Sequence, residues 1–213
     1  MCLMMLNKRD KAIIRDLNLF RVMDRDSIAE LHFTGLKKPY NAANNVLLRL
    51  VREGHIQRST SFIPYVYFGP NVQIKKNSAK IGHFLAIVEV YKEIKRLGQL
   101  DDFLVEPKYG GKGTVEPDIY CVYRKTKFFI EVQKTIYTNK QMKDKIDRYV
   151  DLYDSKIIQP FPHVLILSDQ RYALDEDYPF KLFQAKSFTH FLNMLKSKEM
   201  EQTKSTGVKI KIG

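Results

Sequence analysis

Two acids and an amide stand at a spacing suited to phosphate chemistry. Asp118 precedes an apolar and aromatic run, Ile119 to Tyr123; Arg124 to Lys127 is polar enough to turn, and Phe128 to Val132 is apolar again. Two such runs about a short break read as a β-hairpin. Residues i and i+2 of a strand share a face, so Glu131 and Gln133 point the same way. With Asp118 opposite them, two carboxylates and a carboxamide converge. Hard divalent cations prefer such oxygen ligands, and bound Mg²⁺ or Mn²⁺ activates water for phosphodiester cleavage. Asp118 and Glu131 are the candidate metal ligands. A third acid, Glu89, lies inside the apolar run I-G-H-F-L-A-I-V-E-V-Y, where a buried carboxylate needs a partner, a proton or a cation.

The spacing Pro117-Asp118, then Glu131-Val132-Gln133, resembles the PD-(D/E)xK nuclease superfamily. That resemblance implies a nuclease-like mixed-sheet domain. It also makes Glu89 the first candidate, and Glu93 the second, for a further acid brought by the helix before the hairpin. Gln133 stands where the superfamily usually has lysine. Glutamine can orient water but supplies no charge to the developing phosphorane, so weak cleavage or none is expected.

The elements that must position these residues are legible in order. Arg9 to Phe20 has apolar residues near helical spacing, and Asp26 or Ser27 can cap a second helix ending before Gly35. Asn41 can cap a third helix, to about Glu53, with Gly54 as its stop. Two short strands follow within His55–Pro70. Three helices and a hairpin make a winged helix-turn-helix plan, ending its third helix in L-x-R-L-V-R-E-G-H-I. In that plan the third helix enters the major groove. Asn44, Asn45, Arg49 and Arg52 are candidates for base contacts, and Lys37, Lys38 and Arg58 for phosphates. After a linker, Pro70 to Asn77, a long helix is expected to Leu97, with His83 as a packed or polar-bonded core residue. Then come a strand at Leu100–Glu106, the hairpin, a helix from Thr138 or Asn139 through Tyr153, a buried parallel strand at Pro162–Ser168, a strand at Phe180–Gln184 and a helix at Phe188–Leu195. The expected fold class is α/β (α+β). The expected domains are 1–70, the winged helix-turn-helix; 71–197, the nuclease-like domain; and 198–213, a flexible basic tail.

The whole order is similar to the replication-relaxation family of Gram-positive plasmids and mobile elements. The similarity rests on the winged-helix start, H-F-L-A-I-V-E-V-Y, P-D-I-Y, F-F-I-E-V-Q-K-T, K-I-D-R-Y and F-P-H-V-L-I-L-S-D. It implies DNA binding tied to replication or relaxation. That family commonly has an acid where Gln133 stands.

Composition agrees with a polyanionic partner: the formal net charge is +12 and the pI about 9.5. Double-stranded DNA and a second copy, as a homodimer on a two-fold site, are the expected partners. No apolar run is long enough for a membrane, the apolar start Met1–Leu6 is too short for a signal peptide, and the two cysteines, Cys2 and Cys121, form no disulfide framework or zinc pattern; a cytoplasmic protein is expected. The five histidines show no H-x-H or H-E-x-x-H spacing. Tyr137, Tyr149 and Tyr153 are conceivable nucleophiles, although tyrosines near strands usually pack. The competing function is a non-catalytic regulator or replication/partition adaptor that dimerises through its C-terminal domain.

Overall fold

The computed structural model describes residues 5–75, 78, 80–135, 137–174 and 177–205, with side chains to 197. The chain is a mixed α/β protein with two sheets. Its first half holds α1 (Lys8–Phe20), β1 (Val22–Asp24), α2 (Arg25–His32), α3 (Pro39–Arg52), β2 (Gln57–Ser59) and β3 (Val66–Phe68). α1 starts in a capping box between Asn7 and Asp10. α2 is capped by Asp24, two or three residues earlier than Asp26 or Ser27, because Asp24 ends β1 with its carboxylate on the Ser27 N–H at 2.6 Å. α3 begins with Pro39 in its first turn, not at Asn41; proline's fixed φ suits that place. The expected hairpin strands pair, and β3 also pairs with the unexpected β1, giving an antiparallel sheet in the order β1-β3-β2.

The second half opens with α4 (Lys80–Leu97), then β4 (Leu100–Val105), β5 (Ile119–Tyr123), β6 (Thr126–Val132), α5 (Asn139–Asp154), β7 (His163–Leu167), β8 (Leu182–Ala185) and α6 (Phe188–Ser205). The sheet runs β4-β5-β6-β7-β8: an antiparallel meander to β6, then parallel pairs through β7 to β8. The β5–β6 turn uses only Arg124 and Lys125, both at positive φ, which is the conformation a two-residue hairpin matched to strand twist demands. α6 runs past Leu195 to Ser205, so the first part of the expected flexible tail is helical; residues 206–213 lie outside the described residues.

Strand alternation sorts the large sheet's side chains to two cores. Ile119, Cys121, Phe128, Ile130 and Leu165 join α4 and α6 in one cluster, and that cluster continues into Ile13, Leu17, Phe20, Ile28 and Leu47 of the first half. α4 is the shared element: it touches α1, α2 and β1 on one side and β4 and β6 on the other. Phe129, Val164 and Ile166 face the opposite way and pack on Met142, Ile146, Tyr149 and Leu152 of α5. Glu131 has the parity of Phe129, so it projects toward α5. Among the described residues no helix is long and apolar enough to cross a membrane.

Candidate functional site

The hairpin register pairs Ile119 with Ile130, so one further step sets Asp118 beside Glu131. The two expected acids do come together. Asp118 Oδ2 accepts the Val132 N–H at 2.7 Å, and His83 Nε2 of α4 lies 3.3 Å from Oδ1. Burial raises the Asp118 carboxyl, but His83, the Lys145 charge and the Val132 N–H outweigh it and hold the group below its ordinary value. His83 is thus polar-bonded, and its partner is the candidate acid itself.

Glu131 is fully buried, and both its oxygens are engaged by α5. Lys145 Nζ donates to Oε2, and the Tyr149 hydroxyl donates to Oε1 at 2.6 Å. Residues i and i+4 of a helix share a face, so α5 delivers a cation and a phenol to one carboxylate. Burial, then the Asp118 charge, push Glu131 up to about 8 against the pull of Lys145 and Tyr149. A lysine thus reaches the acid pair from α5, where position 133 supplies an amide. Lys145 is not among the site residues expected from sequence; the segment K-I-D-R-Y holds the signal, in a lysine and a tyrosine four residues apart.

A cleft of about 430 Å³ opens beside this network, lined by Lys80, Gly82, His83, Asp118, Gln133 and Lys145 among others. Gln133 lines the cleft. Glu131 does not line the cleft; it sits behind it.

Glu89 is not part of the site. Its side chain is 58% exposed and accepts from Lys92 Nζ at 2.7 Å and Ser27 Oγ at 3.3 Å. Six residues along a helix rotate its direction well away from that of His83, toward α2. Glu93 is also elsewhere, accepting from Phe188 N, Thr189 N and Thr189 Oγ1 at the start of α6. Tyr149 is spent on Glu131, burial raises its hydroxyl well above the ordinary tyrosine value, and Tyr153 packs on Phe161 and Phe180. Tyr137 borders the cleft.

The donor set does not fit a divalent ion as it stands. Metal ligands must turn free lone pairs toward a common point. Here one acid is sealed behind the cleft with a lysine on one oxygen and a phenol on the other, and the second acid holds a histidine and a backbone N–H. Among the described residues no three His, Cys, Asp or Glu side chains are grouped to hold a metal.

The first half presents a different surface. On α3, Asn41, Asn44, Asn45, Leu48 and Arg52 form one exposed stripe at helical spacing, and Lys37 and Lys38 are exposed just before the helix. Arg49 leaves that stripe: its guanidinium binds the buried Asp10 at 2.7 Å and Glu53 at 3.1 Å, tying α3 to α1. As a base reader it is withdrawn, because a buried carboxylate keeps its cation. Arg58 is half-buried with its guanidinium 5.1 Å from the Tyr65 ring centre; with Asn44 and Leu48 it lines a cleft of about 690 Å³ between α3 and the hairpin.

No family model matches this chain, and no curated protein matches it.

Proposed function

We propose that this chain binds double-stranded DNA through a winged helix-turn-helix formed by its first half, and that its five-stranded half is a nuclease-like scaffold that does not cut. The observation that carries the reading is the α3 stripe. Asn44, Asn45 and Arg52 are exposed side by side, next to a hairpin cleft holding Arg58, with Lys37 and Lys38 at the helix start. Asparagine pairs with adenine and arginine with guanine in the major groove, while lysines suit phosphates. The net charge of +12 supplies the long-range attraction. The resemblance of the motif order supports a role in plasmid or mobile-element replication or relaxation. The saturation of Glu131 by Lys145 and Tyr149 supports the reading that this half does not cut.

A second reading, a metal-dependent nuclease, draws on one observation: Asp118, Glu131 and a lysine do meet at one end of the hairpin. Fluorescence anisotropy with labelled duplexes and a supercoiled-plasmid nicking assay with Mn²⁺ separate the two. Duplex binding weakened in Arg52→Ala, with intact plasmid, is the expected result. Metal-dependent nicking abolished by Asp118→Asn would establish the enzyme instead, and no duplex binding at low salt would reject the DNA reading.

A further inference from the structure

The cleft beside Asp118 carries more positive charge than its network consumes. Lys80 and Lys134 stand exposed on its lining, and neither has an ion-pair partner among the described residues. The anionic groups around it are accounted for. Glu106 is held by Arg21 at 2.7 Å, Asp118 by His83 and the Val132 N–H, and Glu131 by Lys145. Two cations are left facing an opening with the Gln133 amide beside them.

Gly82 adds an independent observation. It lies in the first turn of α4, on the cleft lining, and a Cβ there would meet nothing within 4 Å. Its φ is not in the left-handed region, so neither backbone conformation nor packing requires glycine. Glycine disfavours a helix relative to alanine. What its bareness does provide is close approach of a ligand to the backbone.

We propose that this cleft is a metal-independent receptor for a DNA backbone phosphate, with Lys80, Lys134 and the Gly82 backbone as its contacts. Lys145 lines the cleft and is bound to Glu131, so its charge offsets that of the acids toward a phosphate. DNA is then gripped twice, by α3 and by the five-stranded half, and α4 joins the two grips. The inference rests on the DNA reading above and adds a second contact region to it.

The test uses the full chain and a labelled duplex, with anisotropy measured across salt concentrations in EDTA and in Mg²⁺. Each phosphate contact contributes roughly 0.9 to the slope of log affinity against log salt. The Lys80→Ala/Lys134→Ala pair should lower that slope by about 1.8 without changing sequence preference. Gly82→Leu should fill the opening and weaken binding while its melting temperature stays at or above that of the parent. EDTA should leave parent binding intact. Unchanged slope and affinity in both cleft variants, with binding still weakened by Arg52→Ala, would overturn the cleft proposal and leave the α3 reading standing. Loss of parent binding in EDTA would also overturn it, as the contact would need a metal. A parent that binds no duplex would bring down both. Competition by a mononucleotide at concentrations matching the duplex would reassign the cleft to a small phosphate ligand and reject the backbone contact.

Discussion

On α3, Asn44, Asn45 and Arg52 turn their polar groups to solvent, and no hydrogen bond to another side chain engages them among the described residues. At the hairpin end, Glu131 has no solvent contact, and every oxygen of the acid pair meets a neighbour. The residue types in the two regions are equally capable of chemistry. What separates them is whether folding has already used them. A buried charge must find its counter-ion inside the protein, and once found that ion is no longer available to a ligand. The same rule operates within one helix: Arg49 faces Asp10 and is consumed, while Arg52, three residues on, is exposed and has no ion-pair partner among the described residues.

The largest expected effect is at Lys145. Removing it leaves Glu131 buried without its cation. Above pH 8, where Glu131 is ionised, Lys145→Met should cost about 3–5 kcal/mol in urea unfolding. Near pH 6 the cost should shrink, because the carboxyl then takes up a proton. Adding Glu131→Leu to Lys145→Met should recover most of the loss, since an apolar pair of similar volume is often as stable as a buried ion pair. A loss equal at both pH values would show that Lys145 matters for packing and not for charge.

The pH dependence of Glu131 sharpens the point. Its folded value is raised to about 8 from an ordinary 4.5. Below 4.5 folded and unfolded chains both hold the proton. Between 4.5 and 8 the unfolded chain releases it and the folded chain keeps it, so stability falls as pH rises. Glu131→Gln carries no such proton. Parent stability should therefore decline relative to Glu131→Gln across that window and run parallel above it. Asp118, whose value is lowered, acts only under more acidic conditions, where its contribution is lost as pH falls. Thermal melts of both proteins from pH 4 to 9 read the difference directly.

The two arginines of α3 should part in opposite ways. Arg49→Ala strands the buried Asp10 and should lower stability by roughly 2–4 kcal/mol, with any loss of DNA binding following from α3 coming loose. Arg52→Ala should leave melting within about 0.5 kcal/mol and weaken duplex binding by roughly 1–3 kcal/mol. If Arg52→Ala melted early, or bound as the parent does, α3 would lose its standing as the reading face.

How much of this was legible depended on the range of the interaction that decided it. The helices and the hairpin follow from local periodicity and punctuation, and the order of all elements but one was readable. β1 was not, because three residues, Val22–Asp24, become a strand only by pairing with Val66–Phe68. That pairing also moved the α2 cap to Asp24. At the site, Asp118 and Glu131 were readable because a tight hairpin makes them neighbours. Lys145 and Tyr149 were readable as a pair but not as partners of Glu131, since the crossover from β6 to α5 and its packing angle intervene. The fate of Arg49 was hidden for the same reason: Asp10 lies 39 residues away in sequence.

Glu89 is the quietest position and the one that tests the comparison from the other side. Its setting, H-F-L-A-I-V-E-V-Y, reads as buried, and a buried acid invites a functional role. In the folded chain Val88 and Val90 turn inward while Glu89 emerges between α4 and α2. There it shares Lys92 with Glu30, whose carboxylate is 2.9 Å from the same ammonium. Lys92 is the buried member of the trio, so it needs an anion, but it has two. Removing one exposed acid leaves it paired, and exposed ion pairs contribute little on their own. Glu89→Gln keeps an oxygen for the Ser27 hydroxyl as well. Its effect on stability should stay within about 0.5 kcal/mol, and duplex binding should match the parent. Glu30→Gln/Glu89→Gln, by contrast, strips Lys92 of both anions and should destabilise the α2–α4 contact far more than the two single changes combined. If Glu89→Gln alone abolished an activity of the five-stranded half, the division between spent and available charges would have been drawn in the wrong place on α4.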